Sequence, residues 1–144
     1  MFRVTRRYQF SASHRLHAPG LTEAENRELY GKCNHPYGHG HNYVLEVSAR
    51  GPLEPVSGRA VDTDRLDRLV RLHVLDAFEH RNLNTEVERF FTLVPTSENL
   101  GVEIFRRLRE NWAEAFPGAW PKLDKVCIAE TPRNIFQVSP HEIE

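Results

Sequence analysis

The tripeptide His39-Gly40-His41 sets two imidazoles two residues apart. On an extended chain, side chains at i and i+2 share a face. Both rings can then reach one ion, and Gly40 leaves the backbone between them free to bend. His14 shares a parity with Phe10 and Ala12, and becomes a third imidazole if its segment pairs with the one holding His41. Three neutral imidazoles suit Zn²⁺, and three protein ligands leave a fourth position open for water or substrate. An H-x-H pair also occurs on surfaces with no metal, and His35 competes for the third ligand place. His17, His73 and His141 have no supporting pattern and read as ordinary residues. Cys33 sits in a polar, turn-rich setting with Asn34, Pro36 and Gly38. That is unlike the usual buried free cysteine. The setting argues against a core role and leaves open the fourth ligand of a closed structural zinc. Cys127 lies in an apolar run and reads as a core residue.

The elements that must carry these groups follow from periodicity. Phe2, Val4, Tyr8, Phe10, Ala12, His14 and Leu16 alternate, broken by Arg6, so Phe2 to Leu16 is predicted as a long half-buried strand. Thr22 and Glu25 have capping-box spacing and predict a short helix to about Tyr30, stopped at Gly31. Asn42 to Arg50 alternates again as a second strand. Asp62 or Thr63 caps a helix with Leu66, Leu69, Val70 and His73 at helical spacing, ending near Phe78. Pro95-Thr96-Ser97-Glu98 opens a stronger helix with Leu100, Ile104, Phe105, Leu108 and Trp112 on one side, ending before Pro117-Gly118. Lys125 to Ala129 and Asn134 to Val138 close the chain as short strands. The order ββααββ, with a helical insert after the first strand, predicts an α+β domain with an antiparallel sheet.

Composition narrows the function classes. The 144 residues match one ordinary domain, 1-144, and 40% hydrophobic with 27% charged residues supports a packed core. A net charge of -1 gives no global pull toward nucleic acid or membrane. No stretch approaches the ~20 apolar residues of a membrane helix. Met1 to Arg7 lacks the apolar core of a secretory signal. Two cysteines are too few for a disulfide framework, which favours a reducing, cytoplasmic setting.

Five blocks, in order, carry a resemblance. They are Phe10-Ser11-Ala12-Ser13-His14-Arg15-Leu16; Gly31-Lys32-Cys33-Asn34-His35-Pro36-Tyr37-Gly38-His39-Gly40-His41-Asn42-Tyr43; Glu79-His80-Arg81-Asn82-Leu83-Asn84; Pro95-Thr96-Ser97-Glu98-Asn99; and Glu130-Thr131. Together they closely resemble the 6-pyruvoyltetrahydropterin synthase family over nearly the whole chain. The resemblance implies the tunnelling fold, a four-stranded antiparallel sheet with two helices on one face. It implies a homohexamer built as a dimer of trimers, with sites between subunits. The family's zinc ligands fall on His14, His39 and His41, its cysteine base on Cys33, and its helper histidine on His80. Its pterin-anchoring carboxylate falls on Glu130, and its pterin-contacting threonine pair on Thr96 and Ser97. The position before the helper histidine is usually Asp and here is Glu79, one methylene longer.

The implied reaction converts 7,8-dihydroneopterin triphosphate to 6-pyruvoyltetrahydropterin and triphosphate. It needs a Lewis acid on the side-chain oxygens and a base beside the carbons that lose protons. A free thiol has a pKa near ~8.5, so Cys33 needs a positive neighbour to act as thiolate, and Glu79 would set the tautomer of His80. Glu130 would accept the paired N–H donors of the pterin edge. Read alone, it is a strand-end surface residue, Thr96 or Ser97 is a helix cap, and Glu98 is a favourable first-turn carboxylate. Arg15, Lys32 and Arg81 are candidates for the triphosphate. The rival within the family is 6-carboxytetrahydropterin synthase of the 7-deazaguanine (queuosine) route, which also releases acetaldehyde. Five residues, Asn34 to Gly38, separate Cys33 from His39, which resembles the pyruvoyl branch. A non-catalytic, zinc-stabilised binding module is the alternative of another class.

Overall fold

The computed structural model describes residues 1–142. β1 (Phe2–His14) leads through α1 (Glu23–Tyr30) and a 3₁₀ turn (Gly31–Asn34) into β2 (His39–Gly51). α2 (Thr63–Val70) runs on through a π-helical turn (Arg71–Leu75) into the short α3 (Asp76–Phe78). β3 (Arg81–Asn82), α4 (Leu83–Glu86) and a 3₁₀ turn (Glu88–Phe91) follow, then α5 (Ser97–Ala115), β4 (Lys122–Thr131) and β5 (Asn134–Val138). The sheet order is β3-β1-β2-β4-β5. The four long strands are antiparallel, as expected. The expected count of four becomes five because β3 adds a two-residue parallel pairing, Ala12 with Arg81 and Ser13 with Asn82.

Three expected boundaries shift. β1 stops at His14 rather than Leu16, because the Leu16 N–H leaves the ladder to donate to the Cys33 carbonyl at 2.7 Å. β2 begins at His39, so the H-x-H tripeptide lies inside the strand. β4 extends past Lys125 to Ala129 at both ends.

α2 and α5 cover one face of the sheet. Phe10, Tyr43, Leu45, Val47, Val126 and Ile128 of the strands are buried with Leu66, Leu69, Leu100, Ile104, Phe105 and Leu108 of the helices. Each such side chain contributes about 1.5–3 kcal/mol by leaving water. Arg6, the break in the first strand's alternation, still points toward the helices. There it forms a bidentate pair with Asp67 of α2, Nε and Nη2 donating at 3.0 and 2.7 Å. Cys127 departs from its reading as core. It pairs with Glu46 on the face away from the helices and is half-buried beside Gln137, while Val126 and Ile128 take the core positions.

The caps form as the sequence implies. Thr22 and Glu25 make a full capping box, Asp62 caps α2 and Thr96 caps α5. Asn26 is fully buried and bonds the backbone of Ala18, Leu21 and Thr22, which ties α1 to the loop after β1.

Candidate active site

In the β1–β2 register His14 faces His39 and Ala12 faces His41. Directly opposed residues of an antiparallel pair share a face, so the three imidazoles lie on the helix side of the sheet, at one end. His14 is fully buried. Its Nδ1 lies 2.8 Å from the Pro95 carbonyl oxygen, which can only accept, so Nδ1 carries the proton. The lone pair therefore sits on Nε2, in the manner of a metal-ligating imidazole held by an outer partner. The Tyr43 hydroxyl stands 3.3 Å from the same Nδ1.

Nε2 of His41 meets three groups. It is 3.1 Å from Nε2 of His14, 2.9 Å from Oε1 of Glu130 and 3.8 Å from Sγ of Cys33. The ligand atoms of His14, Cys33, His41 and Glu130 all lie within 4.8 Å of one another. His39 is exposed beside this group, its ring centroid 4.6 Å from that of His41. Two nitrogens at about 2.0–2.1 Å from a tetrahedral ion stand roughly 3.3 Å apart, so the His14–His41 spacing fits a shared metal ion.

Burial pushes both His14 and His41 below the usual imidazole range, against the raising effect of Pro95 on one and Glu130 on the other. Both rings are held neutral, the form that ligates. Burial also pushes the Cys33 thiol up, and the Glu130 carboxylate adds to that.

Asparagine clamps hold the loops at the site. Asn34 donates to the Leu16 carbonyl at 2.7 Å. Asn84 accepts from the Arg15 N–H at 2.7 Å and donates to its carbonyl at 2.9 Å. Gly38 has φ 82°, and a Cβ there would lie 3.0 Å from the His14 carbonyl oxygen. A side chain at that position meets both left-handed backbone and a collision with the strand end.

Glu130, near the end of β4, is no bare surface residue. The hydroxyl of Ser97, itself buried, donates to its Oε2 at 2.5 Å. Thr96 accepts from the Asn99 N–H at 3.1 Å, as a helix cap does. Glu79 and His80 pair at 3.1 Å, but His80 is 79% exposed, and among the described residues neither bonds to Cys33. Arg81 pairs with Glu86 at 3.5 Å.

The profile described as "6-pyruvoyl tetrahydropterin synthase" matches residues 3–141. The chain belongs to this family. A Caenorhabditis elegans protein named "Putative 6-pyruvoyl tetrahydrobiopterin synthase" is 48% identical over 88% of this chain and 86% of its own. The "6-pyruvoyl tetrahydrobiopterin synthase" of Poecilia reticulata is 42% identical over 92% and 86%. The solved "Structure of Caenorhabditis elegans 6-pyruvoyl tetrahydropterin synthase" superposes with a TM-score of 0.87 at 44% identity, covering 96% of this chain and 94% of that one. The family is one of enzymes, lyases acting on phosphates.

Some residues that build the site escaped the sequence reading. Tyr43 and Pro95 orient His14, and Asn84 clamps Arg15. Asn84 and Tyr43 stand within the family-like blocks, so their signal was position alone. The Pro95 contribution is a backbone carbonyl, which no residue type announces.

Proposed function

We propose that this chain is a 6-pyruvoyltetrahydropterin synthase, which converts 7,8-dihydroneopterin triphosphate to 6-pyruvoyltetrahydropterin with release of triphosphate. The observation that carries the reading is the convergence of His14, Cys33, His41 and Glu130 at one sheet end. Zn²⁺ is the proposed ion, held by His14, His39 and His41, and it would supply Lewis acidity to the substrate's side-chain oxygens. Cys33 removes a proton from the adjacent carbon. Glu130, aimed by Ser97, accepts the N–H donors of the pterin edge, with Thr96 beside it at the helix end. Oε2 of Glu130 is held by the Ser97 hydroxyl, and Oε1 faces His41 and lies 4.0 Å from the thiol.

The thiol is raised in the isolated chain, so it needs a positive group to ionise. Within one subunit, His80 does not supply it. A homohexamer of two trimers, with Glu79–His80 of one subunit completing the site of another, accounts for a histidine that is exposed and makes no bond to Cys33. The whole chain, 1-144, would act as one catalytic domain in the cytoplasm.

Product identification tests this. Zinc-loaded protein with 7,8-dihydroneopterin triphosphate, without oxygen, is expected to yield the pyruvoyl product and triphosphate by mass. Carboxytetrahydropterin with acetaldehyde would overturn the product assignment, and unchanged substrate would overturn the enzyme reading for this pterin. One observation favours a second reading of Cys33: its Sγ lies in the same 4.8 Å group as the imidazoles, as a fourth ligand would. Cys33→Ala separates the two. A base is lost with about one zinc per subunit retained, whereas a ligand is lost with the metal and the fold.

A further inference from the structure

A second cavity, of about 640 Å³, opens beside the site. It is lined by Arg15, which follows the ligand-positioned His14, by Lys32 and Asn34 on either side of Cys33, and by His39. Its far wall comes from α1, which contributes Glu23 and Arg27. Three permanent cations therefore face one carboxylate across a space that begins at the metal-ligand end of the sheet.

The cations are available. Among the described residues, Arg27 and Lys32 enter no ion pair or hydrogen bond through their side chains. Arg15, which lines the cavity, uses only Nε among its side-chain donors, giving it to the Asn34 carbonyl at 3.1 Å, and among the described residues its Nη donors have no partner. Its backbone is clamped on both sides by Asn84. By contrast Arg81, in a separate cavity with His80, is already paired with Glu86. The capping box and the buried Asn26 fix α1 as a rigid wall, although its outer surface carries no core side chain.

We infer that α1 is the polyphosphate-recognition element of this enzyme: Arg27, together with Arg15 and Lys32, binds the phosphate chain of the substrate, and Glu23 sets an upper limit on its affinity. Guanidinium groups suit phosphate oxygens through paired N–H donors, and the lysine adds a mobile point charge. The cavity abuts His39 and the Cys33 turn, so the chain of phosphates leads away from the reacting carbons toward α1. A site that must release triphosphate each turnover cannot hold it too tightly, and the opposing Glu23 keeps the excess charge at two. This assignment rests on the proposed substrate, but its test does not require turnover.

The probe is inorganic triphosphate, with binding followed by calorimetry on the zinc-loaded protein. Arg27→Ala and Lys32→Ala are each expected to weaken it about tenfold, the scale of one charged hydrogen bond. Glu23→Gln is expected to tighten it severalfold. Affinity for unphosphorylated 7,8-dihydroneopterin should be unchanged in all three. Because Arg27 and Glu23 are exposed and the two substitutions move affinity in opposite directions, misfolding cannot mimic the pattern. Wild-type triphosphate affinity in both alanine variants overturns the assignment, as does an equal loss for the unphosphorylated pterin. Triphosphate binding that shifts as stated in a protein making a different pterin product retains the subsite while overturning the product.

Discussion

His14 and His41 approach Nε2 to Nε2 at 3.1 Å, while the far nitrogen of His14 donates its proton to the Pro95 carbonyl. With the His14 proton on Nδ1, its Nε2 turns a lone pair toward His41, and either a proton on His41 or a shared metal ion satisfies it. On the proposed metal site, removing either ring removes a ligand. His41→Ala is expected to lower metal affinity by at least about a hundredfold, since even outer partners of ligands account for 10–100-fold. Competition with a chromophoric chelator measures it, and unchanged affinity would refute the shared site.

Ser97 touches neither imidazole. It acts through Glu130 by a single hydroxyl bond. Ser97→Ala should leave zinc content intact and weaken pterin binding about tenfold, the cost of a hydrogen bond to a charged group. Ser97→Thr should restore most of it. Equilibrium binding of dihydroneopterin reads the effect, and a parallel loss of metal would contradict it.

Gly38 is held between a left-handed φ and the His14 carbonyl. Gly38→Ala must strain the loop or displace the end of β1, at a cost of about 1–3 kcal/mol. Thermal unfolding should show the loss, and metal affinity should fall with it because His14 moves. A variant as stable as the wild type would show the contact to be yielding.

Far from the site, Asp67 accepts from Arg6 and from the Tyr8 hydroxyl, the latter at 2.6 Å. Arg6 holds the Asp67 carboxyl below its usual value of 3.8. A lowered folded pKa gives stability that is complete above the unfolded value and lost as pH falls through the folded one. Tyr8 is pushed upward, first by burial and then by Asp67, so its contribution is present below its ordinary value of 10.0 and lost above the folded one. Asp67→Asn is expected to cost about 1 kcal/mol near neutral pH, scaled down for the partial exposure of the pair. The gap to wild type should narrow as pH falls below 3.8 and close as it passes through the lowered folded value. A gap that persists there would assign the effect to packing.

Much of this was legible in the sequence. The i, i+2 spacing of His39 and His41 put two imidazoles on one face, and the parity of His14 with Phe10 and Ala12 offered a third only if the two strands paired, which the β1–β2 register supplies. The helices were marked by Thr22, by Asp62 or Thr63, and by Thr96 or Ser97, and the caps formed at Thr22, Asp62 and Thr96. Arg6 looked like a defect in the strand and proved a cross-layer ion pair, since parity records direction and not the partner. β3 was invisible because two residues carry no period. The meeting of Glu130 with His41 and Cys33 joins positions far apart in the chain, and only sheet order β1-β2-β4 brings them together. Cys127 was misplaced because its run is apolar on both parities, and the register alone decides which face looks outward.

His80 has φ 58°, a left-handed conformation uncommon for any residue but glycine, and its N–H donates to the Ser11 carbonyl. The isolated chain would fold more stably with glycine in that place, by up to about 1 kcal/mol. His80→Gly is therefore expected to raise the melting temperature, and, on the proposed role of His80 in a neighbouring site, to abolish turnover. On that proposal thermal robustness and reactivity are opposed at this one position, and a screen for hardier variants would select against the working enzyme.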